Sequence, residues 1–193
     1  MLGIFLDLET TGLDPTRHSV IELALSILDL QNLKHLASYH TKIIQPESVW
    51  NDRDPNSIRV NGFTYEEICK GKPIELVREE VKDLLISHQI KRGEAVFICQ
   101  NPSFDRAFFS QILDVYTHER LLWPYHWLDL ASMFWVKLLE DLSKDRQFIP
   151  NPCSLSKDKI ANYFGLPPEE KPHRAMNGVN HLIACYKAVV GIS

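Results

Sequence analysis

Two kinds of hydrophobic spacing alternate along the chain. Leu2–Leu8 is a short apolar run that ends in Glu9-Thr10-Thr11-Gly12-Leu13-Asp14-Pro15, the pattern of a buried strand closing in a turn. Val20–Leu28 and Ala37–Ile44 read as two further strands, the second rich in β-branched and aromatic residues. Asp29–Lys34 supplies the reversal between them, so the three predict an antiparallel meander. Residues 45–62 carry Pro46, Pro55, Asn56 and Gly62 and read as a long loop. Beyond them the period lengthens. Thr64 with Glu67 has the form of a capping box. Pro73 suits the first turn of a helix whose Ile74, Val77, Val81, Leu84 and Leu85 share one face. Ala95–Cys99 predicts a buried strand, and Asn101-Pro102 an N-cap and first-turn pair opening a helix striped by Phe104, Phe108, Phe109 and Ile112. Trp127–Leu130 reads as a short last strand leading into a helix over Ala131–Leu142. Residues 143–153 predict a loop, Leu155–Phe164 a short helix ended by Gly165, and Pro167–Pro172 a linker able to move. The last helix carries Ala175, Val179, Leu182, Ile183, Tyr186 and Val190 on one face. Three leading strands, then helices alternating with two more, predict an α/β domain with a mixed sheet.

Composition narrows the setting. A chain of 193 residues fits one domain over 1–193 and can bury a core without staples. Its 21 Lys and Arg against 25 Asp and Glu give a net charge of −4, which argues against coating long nucleic acid by phosphate neutralisation. It leaves room for a site that grips one strand end through metal ions. The apolar run Ile21–Leu28 falls far short of a membrane helix. The N-terminus lacks a basic region, and Asp7 and Glu9 interrupt its apolar run, so no signal peptide, no membrane partner and a cytoplasmic location are expected. Four scattered cysteines without a CxxC pair predict free, mostly buried thiols rather than disulfides or structural zinc. The basic residues fall in small groups (Lys70/Lys72, Lys91/Arg92, Lys144/Arg146, Lys157/Lys159) without a stripe, and read as solvated surface. No Gly-x-Ser-x-Gly elbow, Walker-type loop, Gly-x-Gly-x-x-Gly or His-Glu-x-x-His occurs, so serine hydrolase, NTPase, dinucleotide oxidoreductase and zinc protease lack a warrant.

Asp7 and Glu9 carry the first chemical signal. Side chains two apart on a strand project to one face, and two carboxylates there are costly to desolvate without a counter-charge. A divalent cation is a natural one, and oxygen-only ligands suit Mg²⁺ or Mn²⁺ rather than Zn²⁺. Taken alone, the pair is more simply a strand end with both carboxylates in water.

The surrounding motifs change that weighting. Phe5-Leu6-Asp7-Leu8-Glu9-Thr10-Thr11-Gly12-Leu13 resembles the first motif of the DEDD superfamily of 3′–5′ exonucleases, which includes ribonuclease T and the proofreading subunit of bacterial DNA polymerase III. Gln100-Asn101-Pro102-Ser103-Phe104-Asp105 resembles the second, with Gln100 where that family usually has His. Trp127-Leu128-Asp129-Leu130 is similar to its supporting strand-to-helix segment, and His173-Arg174-Ala175 to the third motif of the His-containing (DEDDh) subgroup. The resemblance implies a ribonuclease H-like fold with a mixed five-stranded sheet flanked by helices. It implies two-metal hydrolysis of single-stranded DNA or RNA at 3′ ends, in replication or repair and beside a polymerase or another protein of that machinery. Asp7, Glu9 and Asp105 would hold two Mg²⁺ or Mn²⁺ ions, and His173 would take a proton from the attacking water. Thr10, Thr11, Gly12 and Leu13 would meet the terminal nucleotide, Leu13 as an apolar wedge, and Asn101 would touch the strand's backbone.

One position departs from the motif set. The family's fourth carboxylate falls five residues after the His, where this chain has Gly178. Asn177 and Asn180 bring no charge, and Glu169 and Glu170 precede the His without being obvious substitutes. Two readings follow: an active exonuclease whose second metal binds weakly, or a weakened or inactive nucleic-acid- or polymerase-binding module of the same fold. On the first, Gly178→Asp is expected to raise metal affinity and activity.

Overall fold

The computed structural model describes residues 1–144, 148–149 and 153–192; the loop expected over 143–153 lies largely outside them. A five-stranded sheet forms the centre, in the order β3-β2-β1-β4-β5. The strands are β1 (Leu2–Thr10), β2 (Val20–Asp29), β3 (Lys34–Lys42), β4 (Ala95–Cys99) and β5 (Trp127–Asp129). β1 pairs antiparallel with β2, and β2 with β3, giving the expected meander. β4 joins β1 in parallel, and β5 joins β4 in parallel, so the sheet is mixed.

β1 lies between two cores. Ile4, Leu6 and Leu8 face Val77, Val81 and Leu85 of α4 (Ile74–Ser87) and Phe108 and Phe109 of α5 (Pro102–Phe109). Phe5 faces the other way, into Val179, Leu182 and Tyr186 of α9 (Ala175–Val190), and meets the Tyr186 ring edge-on at 5.1 Å. Burying each such side chain contributes about 1.5–3 kcal/mol. That is why β1 is apolar on both faces until its last residues. Its ladder with β2 shifts register between Glu9 and Thr10, where the chain leaves the sheet.

The long loop expected over 45–62 instead holds two short helices, α1 (Glu47–Asn51) and α2 (Pro55–Asn61). Local chemistry explains α2. Asp54 caps it by accepting from the Asn56 N–H at 2.8 Å, Pro55 takes its first position, and Gly62 at φ +66° closes it. The capping box opens α3 (Tyr65–Cys69) as expected. A further helix, α6 (Val115–Arg120), is capped by Asp114. The later helices are α7 (Leu130–Lys144) and α8 (Lys157–Tyr163). α8 begins two residues later than the expected Leu155, because the Ser156 side chain accepts from the Lys159 N–H and caps it. β3 is shifted toward the hairpin, since its ladder starts at the Asp29–Lys34 pair. The four cysteines are free, but Cys69 and Cys153 are exposed rather than buried. No helix among the described residues is long and apolar enough to cross a membrane.

Candidate active site

The C-terminal ends of β1 and β4 open into a pocket of about 270 Å³. β1 delivers Asp7 and Glu9 to its lining, the first turn of α5 delivers Asp105, and the segment ahead of α9 delivers His173. Four sequence candidates separated by up to 166 residues thus share one cavity. Thr10 and Leu13 line it too, Leu13 with 69% of its surface exposed. Ser57, Val60 and Asn61 of α2, with Gln100 and Phe104, complete much of the wall.

The remaining candidates do not line the pocket. Thr11 is fully buried, and its hydroxyl accepts from the Ser19 N–H at 3.0 Å. The tight approach at Gly12 comes from within the chain: a Cβ there would stand 2.4 Å from the His18 ring. Thr10 donates to the Gly12 carbonyl at 2.6 Å, so this turn is knit by its own groups. Asn101 occupies the N-cap position of α5 in the left-handed region, at φ +61°, but its side chain caps nothing. It accepts instead from the Ser103 hydroxyl at 2.6 Å. Its backbone N–H donates to Asp129 Oδ1 at 3.1 Å, while Asp129 also accepts from the Ala131 and Ser132 N–H groups opening α7. Asp129 therefore ties the start of α5, and so Asp105, to the end of the sheet.

His173 is firmly placed rather than carried on a free linker. Its N–H donates to the Val60 carbonyl at 3.2 Å. Arg174 donates to the Asn61 carbonyl and lies 3.9 Å over the Phe63 ring. The Ala175 N–H, at the start of α9, donates to Glu22 Oε2 at 2.7 Å. Glu22 is 1% exposed on β2, and its other oxygen is 2.8 Å from His40 Nε2. A carboxylate at a helix N-terminus suits the helix dipole, and this one fixes α9 to the sheet.

Two residues that the sequence pattern left outside the site stand at its centre. Lys157, grouped with Lys159 as solvated surface, is only 13% exposed in its side chain; its Nζ is 3.2 Å from Asp7 Oδ1 and 3.0 Å from Glu169 Oε2. Glu169, in the supposed linker, is 2% exposed, and its Oε1 is 3.4 Å from His173 Nδ1. Its N–H donates to Asp158 Oδ1 at 3.0 Å, which pins that linker to α8. No local signal marks this cluster, since Lys157 meets Asp7 across 150 positions of chain. Gly178 packs against the same group: a Cβ there would lie 2.1 Å from Asp7 Oδ2 and 3.1 Å from Lys157 Nζ. An aspartate at 178 cannot enter without displacing Asp7, which reverses the gain expected from sequence for Gly178→Asp.

The electrostatics leave the pocket short of positive charge. Burial, then repulsion from Asp7 and Glu22, pushes the Glu9 carboxyl up to about 8. Burial and then Asp7 push Asp105 well above the ordinary carboxylate range. Asp7 is raised by burial, partly offset by Lys157. Burial works against the Lys157 charge, but Asp7 and Glu169 outweigh it and hold the ammonium above its usual range. Four carboxylates thus surround one ammonium. Among the described residues no three Asp, Glu, His or Cys side chains form a ready metal cage, and Asp7 is engaged by Lys157. The donor set nonetheless fits a hard cation. Asp7, Glu9 and Asp105 offer only oxygens, and with Lys157 already engaged by Asp7 and Glu169 a further cation would stabilise their ionised forms.

Comparison with known proteins bears on the family and the fold. The RNase T family model, described as Exonuclease, matches residues 4–186. No curated protein matches by sequence. Among solved structures, exonuclease I from Methylocaldum szegediense superposes with a TM-score of 0.74 at 18% identity, covering 98% of this chain and 40% of that one. The E. coli exonuclease I–single-stranded DNA complex in its zinc-bound form gives 0.73 at 17%, covering 98% and 40%. Cell-death related nuclease 4 gives 0.71 at 15%, covering 98% and 64%. The chain spans less than two thirds of the length of each. The shared fold is the ribonuclease H-like one, a mixed five-stranded sheet flanked by helices.

Proposed function

We propose, from the premise that this chain belongs to the RNase T family of exonucleases, that it is a divalent-metal-dependent 3′–5′ exonuclease acting on single-stranded DNA or RNA ends. The observation that carries the reading is the convergence of Asp7, Glu9, Asp105 and His173 on one pocket. The superposed exonuclease I is described in complex with single-stranded DNA, and another neighbour as a 3′-exonuclease recognising the 3′ end of a histone mRNA stem-loop. These lend the substrate class.

Asp7, Glu9 and Asp105 would hold Mg²⁺ or Mn²⁺, which when bound supplies Lewis-acid stabilisation of the phosphoryl oxygens and lowers the pKa of a bound water. The chain's own residues do the rest. Glu169 Oε1 stands 3.4 Å from His173 Nδ1 without a hydrogen bond between them; closing that contact would direct the ring and leave Nε2 to accept the proton of the attacking water. Leu13, Phe104 and Val60 give the pocket apolar surface. Packing of that kind accepts any base, as an exonuclease requires.

The test is shortening of 3′-labelled and 5′-labelled single-stranded DNA and RNA with Mg²⁺, Mn²⁺ or EDTA. Stepwise loss from the 3′ end, abolished by EDTA and by Asp7→Ala and Asp105→Asn, is the expected result. A second reading, a strand-binding module without catalysis, is favoured by the Lys157 ammonium seated on Asp7. Retained strand binding with no shortening under any metal would select it.

A further inference from the structure

We propose that Lys157 is a built-in cation that takes the place of the second metal ion, so that the site holds one divalent ion beside a fixed ammonium. The inference rests on the exonuclease reading above and concerns how its site is furnished.

Three observations converge. First, Lys157 Nζ lies between Asp7 and Glu169, within hydrogen-bonding distance of both. Asp7 is one of the three carboxylates that would hold the ions. Second, position 178, where the motif expects the acid that would help hold an ion against Asp7, has no side chain. The space its Cβ would need is taken by Asp7 Oδ2, with Lys157 Nζ just beyond. Third, the acid missing at 178 is returned from elsewhere in the chain. Glu169 is almost completely buried, and one of its oxygens receives the ammonium. A carboxylate and a cation have both been replaced, and the replacements touch each other. An incidental surface lysine would give none of this, because its ammonium would keep its water. Lysine suits the part: it is a compact point charge with three donors, of which Asp7 and Glu169 use two. An ammonium so placed repels a second ion from Asp7. Glu9 and Asp105, on the rest of the pocket lining, are left for the single metal. Lys157 is thus a positioning residue: it holds Asp7 and sets the number of ions.

The decisive measurement counts ions rather than turnover. Mn²⁺ is titrated into the full chain by calorimetry and by electron paramagnetic resonance, with and without thymidine 5′-monophosphate. The wild type is expected to bind one Mn²⁺ per chain, with an uncoupled six-line spectrum. Lys157→Ala is expected to bind two, with the line broadening of a spin-coupled pair, since two ions in such a site stand about 3.5–4 Å apart. Two ions of comparable affinity on the wild type would overturn the proposal, and so would a single ion on a folded Lys157→Ala. If that variant does not fold, the neutral Lys157→Met replaces it, and the wild-type stoichiometry decides by itself. The outcomes separate from those of the exonuclease test. One ion on the wild type and two on the variant, without strand shortening by either, would sink the enzyme and keep the lysine's role. Shortening by a wild type that binds two ions would do the reverse.

Discussion

Gly178 is where residue-scale chemistry is most exposed to test. A Cβ there would meet Asp7 Oδ2 at 2.1 Å, and the obstacle is a short, engaged side chain. Gly178→Ala and Gly178→Asp should therefore each destabilise the chain by about 1–3 kcal/mol and lower nucleotide release, as read by urea melts and strand assays. Lys157→Met removes one partner of a buried ion pair, so without divalent ions it should cost about 3–5 kcal/mol; a melt in EDTA measures this. At this scale the sequence was informative where chemistry is written locally. Asp7 and Glu9 share a strand face, Asp105 follows a helix start, and all three reach the pocket with His173. It misled on Lys157, read as solvated surface, and on Glu169, set aside as no obvious substitute; both are largely buried and paired with each other. Nothing around a lysine after Ser156 tells that its ammonium will leave solvent for a carboxylate on β1.

Among the elements, α2 has the clearest link between local signal and function. It brings Ser57 and Val60 to the pocket wall, and its carbonyl at Val60 receives the His173 N–H. Its cap is a single side chain, Asp54. Asp54→Ala should cost about 1 kcal/mol of stability and raise KM for single strands more than it lowers kcat, which steady-state kinetics would separate. The strands were legible because β1, β2 and β4 carry continuous apolar runs, and the long α4 and α9 because their apolar stripes run for several turns. α1, α2 and α6 were not, since five to seven residues are too few to establish a helical period. Their Pro, Asn and Asp residues signal a turn and a helix start equally well. For α2 the residues that spelled a loop are the ones that begin and end the helix.

For the whole molecule, the buried acids make stability depend on pH. The Glu9 carboxyl titrates near 8 in the folded chain against an ordinary 4.5, so between those values the folded state holds a proton that the unfolded state has released. Stability of the metal-free protein must then fall as pH rises from about 5 to 8, and Asp105, also raised, acts in the same direction. Melting temperatures across that range in EDTA should slope downward, and saturating Mn²⁺ should flatten the slope by stabilising the charged carboxylates. The same buried repulsion has a consequence for anyone who engineers this protein. Glu9→Gln and Asp105→Asn relieve it, so in EDTA at pH 8 both should melt higher than the natural chain while losing turnover. A heat-challenge screen run without metal would therefore enrich for disabled variants. Selection for durability alone would push in the same direction.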